Sequence, residues 1–171
     1  MMWYCFFGFL LVFVDFSLAL PNGGSINLLP GFLGYALLFV GALSLGHENE
    51  RFRRMRLATV IAFVISALQF VLAIYAFKTA EFVLFVFATA LSLYITYEFT
   101  EGAKMLERSR YKKLSTDKLS SAWIILCMTS ILGFLVPFFP TIGLTQALVQ
   151  LLALCWFEFS VYTLSRRLNG K

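Results

Sequence analysis

Six long apolar runs follow one another along the chain, at residues 3–20, 29–45, 57–77, 82–99, 122–139 and 142–164. A helix needs roughly 17–25 predominantly apolar residues to cross the hydrocarbon core of a bilayer. All six runs reach or approach that length, the Gly-rich second being the weakest. Composition agrees with this reading: 60% of the 171 residues are hydrophobic and 13% are charged. A soluble domain carries about 25% charged residues, and one of this size has too little interior to hide so much apolar surface. The expected fold class is all-α: a polytopic membrane helix bundle of six transmembrane helices forming a single transmembrane domain over residues 1–171.

Charge sets the expected threading. Lys and Arg are retained on the cytoplasmic side of short loops. The link after the second run holds Arg51, Arg53, Arg54 and Arg56, and the link after the fourth holds Lys104, Arg108, Arg110, Lys112, Lys113 and Lys118. The C-terminal tail holds Arg166, Arg167 and Lys171, which leaves only Lys78 of the 14 basic residues for the alternate links. Both termini are therefore expected in the cytoplasm, and the alternation works only if all six spans exist. Arg51, Arg53, Arg54, Arg56, Lys112 and Lys113 are expected to contact anionic lipid headgroups. The same basicity is ordinary for inner loops, so no nucleic-acid partner is expected.

The opposite links are short. Pro21-Asn22-Gly23-Gly24 is turn chemistry, because Pro lacks an N–H while Asn and Gly tolerate positive φ. No basic residue precedes the first run and no small-x-small site follows it, so a retained helix is expected rather than a signal peptide. In the 100–120 link the fourth helix is expected to continue past the interface through Glu101, Lys104, Met105 and Arg108. Ser115 or Thr116 would cap the next helix with a side-chain oxygen.

Metal and redox chemistry find little support. Cys5, Cys127 and Cys155 lie in apolar runs without CxxC spacing and read as buried small hydrophobes. The one histidine, His47, reads as a solvated loop residue, which leaves no His-based metal site or Ser-His-Asp triad. No metal, no cofactor and no enzymatic activity are expected.

The residues able to carry a function are the polar ones inside the runs, since acids in lipid are costly and are functional candidates. Asp15 stands in the outer half of the first run and Glu158 in the inner part of the sixth. Gln69, Gln146 and Gln150 add uncharged polar groups. Gln146 and Gln150 share a helix face, and Glu158 lies about 80° further round, so the sixth helix carries a drifting polar stripe. That stripe reads either as a ligand or ion path, with Asp15 as its partner, or as hydrogen bonds that hold helices together. Gly34 and Gly41 share a face of the second run and read as a close helix–helix contact. The sharper alternative is a broken helix at Leu29-Pro30-Gly31, with Asn27 at its mouth, lining a substrate site. Glu98 and Glu101, followed by Lys104, read as a surface ion-pair cluster, or alternatively as a carboxylate pair.

The stretch Ile26-Asn27-Leu28-Leu29-Pro30-Gly31-Phe32-Leu33-Gly34-Tyr35, with Asp15 before it, resembles a group of small multi-spanning membrane proteins of Gram-positive bacteria whose outer hairpin carries a Leu-Pro-Asp-Phe-Ile-Gly-Tyr-like motif. The likeness covers residues 10–56 and, more loosely, 94–123. Gly31 stands where that group carries an acid. The resemblance implies placement in a bacterial cytoplasmic membrane and carries no activity with it. Six short helices with both termini inside also look like the substrate-binding membrane subunits of energy-coupling-factor vitamin transporters. The closely spaced alanines with which the first span of those subunits docks are not seen here. The expected function is a small-molecule transport or substrate-binding subunit. The alternative is a non-enzymatic assembly or regulatory protein, acting through helix–helix contacts with a membrane partner or with its own copies.

Overall fold

The computed structural model describes residues 2–13, 17–19, 25–27, 31–75, 78–110, 114–134, 136, 139, 141 and 143–168. Its helices are α1 (Met2–Phe13), α2 (Gly31–Leu45), α3 (Glu50–Ile74), α4 (Lys78–Arg110), α5 (Thr116–Gly133) and α6 (Gly143–Leu168). A two-stranded ribbon, β1 (Ser17–Ala19) and β2 (Ser25–Asn27), lies between α1 and α2. Its strands pair antiparallel with Ser17 opposite Asn27, Leu18 opposite Ile26 and Ala19 opposite Ser25.

The ribbon corrects the first expected span. Helix was expected over residues 3–20, but it stops at Phe13 and residues 17–19 are strand. Short apolar stretches do not distinguish helix from strand by pattern. Here two short segments, Ser17–Ala19 and Ser25–Asn27, satisfy each other's backbone groups across a ladder. A second correction falls at the fifth span, expected over 122–139. Its helix begins at Thr116, in keeping with the expected cap at Ser115 or Thr116, but ends at Gly133. Three backbone bonds are described from there on, Phe134 N–H to Ile131 O, Val136 N–H to Gly133 O and Phe139 N–H to Val136 O. Pro137 and Pro140 lack the N–H a helix needs and bias the residues before them away from helical φ and ψ.

Among the described residues, three helices are long and apolar enough to cross a membrane: Glu50–Ile74, Phe82–Ser109 and Gly143–Leu168. Helix α1, 12 residues, and α2, 15 residues, rise only about 18 and 22 Å, short of a hydrocarbon core of about 30 Å. The long helices turn apolar side chains outward. On α3 the exposed set Leu57, Val60, Ile61, Val64, Leu68 and Val71 repeats every three to four residues, and Leu57 is 64% exposed. On α6 the same holds for Leu144, Leu148, Leu151, Leu152 and Phe159, with Leu144 77% exposed. A contiguous apolar stripe of this extent is untenable in water; in lipid it is the expected outer surface of a spanning helix.

The described contacts form two compact units, Met1–Gly102 and Ala103–Lys171, with the boundary inside α4. In the first, α1 packs on α2 and α2 on α3. The α1–α2 contact is close enough to exclude a side chain. A Cβ on Gly34 would sit 2.7 Å from the Gly8 carbonyl oxygen and 2.8 Å from the Val12 nitrogen, and one on Gly41 would sit 2.5 Å from Cys5 Sγ. Gly34→Val therefore meets α1 backbone, which cannot swing aside. An expected loss of about 1–3 kcal/mol, typical of overpacking, is measurable as a lowered unfolding midpoint in detergent. No loss would mean that α1 and α2 do not pack this way in the membrane.

The α3–α4 corner is tied by polar groups. Asn49 Oδ1 accepts from Phe52 N–H at the start of α3, and Asn49 Nδ2 donates to Gly102 O at 2.9 Å. Phe52 is fully buried, stacks edge-on to Phe99 at 6.1 Å, and packs where a Cβ on Gly102 would stand 2.9 Å from Phe52 Cζ. Phe99 also meets Phe9 of α1 at 5.1 Å. In the second unit α5 packs on α6, burying Leu119 and Leu126 on one helix and Phe157, Val161 and Leu164 on the other.

The start of α5 departs from expectation. Ser115 occupies the cap position, but with φ 62° and ψ 38° and no side-chain capping bond. Glu107, at the end of α4, does the capping: its carboxylate accepts from Leu114 N–H at 2.8 Å and Thr116 N–H at 3.2 Å, and from the Thr116 hydroxyl. Ser115 Oγ instead accepts from Arg167 at the end of α6. Glu107→Ala is expected to cost about 1–2 kcal/mol, the value of a lost N-cap, whereas Ser115→Ala should leave the start of α5 intact. Hydrogen exchange at Leu114 and Thr116 separates the two: protection should fall in the first variant and persist in the second.

Candidate functional site

The polar stripe of α6 divides in two. At its start, Gln146 Nε2 donates to Thr129 O of α5 at 3.1 Å and to Gln150 Oε1 at 2.5 Å. Gly133 leaves room for this, since a Cβ there would come 3.0 Å from Gln146 Nε2. A carboxamide bonded to a neighbouring helix's backbone is a packing device: it fixes register where lipid offers no competing partner.

Glu158, eight residues beyond Gln150 and about 12 Å further along the helix, is different. It is 7% exposed, and neither carboxyl oxygen has a hydrogen-bond partner among the described residues. Two turns on, Ser165 is fully buried and its Oγ likewise lacks one. The two lie about 10 Å apart along the axis, too far to serve each other. Buried polar atoms are nearly always satisfied in native proteins, so each exception calls for a reason. The carboxyl oxygens of Glu158 would accept from an ammonium or hydroxyl group, or hold a small cation.

The acid at position 98 of α4 is spoken for. Glu98 was expected in a surface cluster with Glu101 and Lys104; it is instead 2% exposed and faces α3. Arg51 Nη1 donates to both of its oxygens, at 3.2 and 3.3 Å. Charge-assisted bonds of this kind are the strong ones. Arg51, read from sequence as a lipid-facing cation, thus serves a buried carboxylate. Arg53 and Arg54 are exposed and pair with Glu50 at 3.7 and 3.1 Å, and Arg56 stands on the same first turns of α3.

The remaining expected site residues are scattered. Gln69 is half-buried in the last two turns of α3, and Asn27 ends β2 opposite Ser17. Helix α2 runs unbroken from Gly31, while Leu29 and Pro30, like Asp15, Lys112 and Lys113, lie outside the described residues. His47 is exposed in the α2–α3 turn. Of the cysteines only Cys5 is buried; Cys127 is half-buried and Cys155 is exposed, on the outward side of α6. Among the described residues no three His, Cys, Asp or Glu side chains are grouped to hold a metal ion.

Sequence reasoning missed the Arg51–Glu98 pair and the role of Glu107. The first joins residues 47 apart in sequence, and no local pattern announces it. The second had a signal, an acid eight residues before a Ser-Thr start, but reads locally as one more surface charge. The chain matches no protein-family model, no curated protein and no solved structure.

Proposed function

We propose that this chain is a six-span protein of a bacterial cytoplasmic membrane, with both termini inside, that binds or moves a small solute at a site built around Glu158. The observation that carries the reading is the enclosed carboxyl group of Glu158, without a hydrogen-bond partner among the described residues, in a helix long enough to span. Keeping an unsatisfied acid in lipid is expensive, and a bound donor would relieve the cost. No catalytic step is assigned. The six-span threading draws support from the segregation of basic residues and from the ribbon, which pairs its own backbone groups and so could sit at the outer interface.

A specific observation favours a second reading. Gln146, Gln150, Gly34 and Gly41 all serve helix packing, as in an assembly or regulatory protein that works through contacts with a partner or its own copies.

Native mass spectrometry of the protein released from its own membrane in mild detergent separates the two. Retention of a small molecule by the wild type and its loss from Glu158→Gln supports the solute reading. A second membrane protein at fixed stoichiometry, unaffected by Glu158→Gln, supports the other. The threading is tested separately, in a background lacking the three native cysteines: a cysteine at Gly23 is expected to label from outside and one at Ser109 only after permeabilisation. The reverse pattern overturns it.

A further inference from the structure

Glu158 is set apart by its surroundings as well as by the partner it lacks. The bonds from Gln146 to Thr129 O and from Arg167 to Ser115 Oγ run α5 and α6 antiparallel, so Glu158 stands level with Leu119 and Ala122. Both are buried and apolar, as are Phe157 and Val161 beside Glu158 on its own helix. The charged groups of α5 and α6 lie elsewhere. Lys118 lines a groove on the other side of α6 with Trp156, Thr163 and Arg167, residues about 140–180° round the helix from Glu158. Asp117 is exposed on the first turn of α5, and Arg166 is exposed about 12 Å further along α6 and about 80° round. Among the described residues, no cation stands beside the Glu158 carboxyl and neither of its oxygens has a donor.

These two deficits, of countercharge and of hydrogen bonds, narrow the ligand. A carboxylate accepts and cannot donate, so an anion or a pure acceptor gains nothing there. A neutral hydroxyl compound supplies a hydrogen bond but no countercharge, and an unbalanced charge is costly away from water. Calcium and magnesium ions take about six or more oxygen ligands. The buried residues level with Glu158 are apolar, and among the described residues no three His, Cys, Asp or Glu side chains are grouped to hold a metal ion. An organic ammonium ion meets both needs at once. Its charge balances the carboxylate, two N–H groups serve the two oxygens through charge-assisted bonds, and its carbon skeleton suits the apolar flanks.

We propose that the solute bound at Glu158 is a small organic ammonium ion carrying at least two N–H groups, with Glu158 as its counter-ion. The proposal rests on the reading of Glu158 as a solute site and adds the charge and hydrogen-bonding character of what that site takes.

The test is a titration of the whole protein in mild detergent at neutral pH with n-butylammonium chloride, read by isothermal titration calorimetry. The uncharged probe is 1-butanol and the bare metal ion is magnesium. The wild type is expected to bind n-butylammonium about tenfold or more tightly than 1-butanol. So is Glu50→Gln, which loses an exposed carboxylate paired with Arg53 and Arg54. Glu158→Gln should weaken the ammonium by about tenfold or more, and Glu158→Asp, which keeps the charge on a shorter side chain, should bind it more tightly than Glu158→Gln. Absence of ammonium binding, equal binding of ammonium and alcohol, ammonium binding untouched by Glu158→Gln, or tighter binding of magnesium would overturn the proposal. Where the ammonium fails, the protein taken from its own membrane tells the two readings apart. If the wild type retains a molecule that Glu158→Gln loses, the site stands and only the ammonium class falls; if no retained molecule depends on Glu158, both fall.

Discussion

Replacing Arg51 by alanine is expected to lower the unfolding free energy by about 3 kcal/mol, because it strands the Glu98 carboxylate where water cannot reach it. The two partners are not equivalent. Glu98 is 2% exposed and the Arg51 side chain 27%, so an orphaned Arg51 can turn toward solvent while an orphaned Glu98 cannot. Glu98→Gln should therefore cost less than Arg51→Ala. The double variant Arg51→Met/Glu98→Leu should recover most of the loss, since an apolar pair of similar volume is often as stable as the buried ion pair it replaces. The check is a set of unfolding curves in detergent micelles, with Arg53→Ala as the reference for an exposed pair that contributes little. If Arg51→Ala costs no more than Arg53→Ala, the α3–α4 corner is not held as described.

Glu158→Leu is expected to move stability the other way, raising it by roughly 2–4 kcal/mol, because it removes two buried oxygens that lack protein partners. The same change should abolish retention of any bound solute. A gain in stability coupled to a loss of binding is the signature of a residue kept for function at a structural cost. A loss of stability would show instead that Glu158 has a partner holding it in the membrane, and the solute reading would fall. Glu158→Gln keeps the shape and a hydrogen-bonding group, so its stability should lie between the two.

The outcome at α6 shows how far a linear pattern reaches. Gln146, Gln150 and Glu158 stand out in the sequence because each interrupts an apolar run, and helical geometry places the first two on one face. The sequence could not say that they divide by role. That depends on Thr129 O and Gly133, more than ten residues away and on another helix, presenting an acceptor and a space beside Gln146. Nothing comparable meets Glu158 among the described residues. Likewise Gly34 and Gly41 were legible as a small-residue face, but only packing identifies α1 as the helix that fills it.

By itself, the sequence determined what depends on local hydropathy and charge: that helices dominate, where their apolar centres lie, and which few polar residues interrupt them; of the six runs it offered as spans, three are helices long and apolar enough to cross a membrane among the described residues. These follow from the cost of backbone and side-chain polar groups in an apolar medium, which is paid residue by residue. Tertiary structure alone decided that α1 gives way to a ribbon at Ser17, that Glu107 rather than Ser115 caps α5, and that Arg51 turns inward to Glu98. Each of these is a choice among partners of similar local propensity. The choice is made by which group the rest of the chain brings within hydrogen-bonding reach, and that is information no window along the sequence contains.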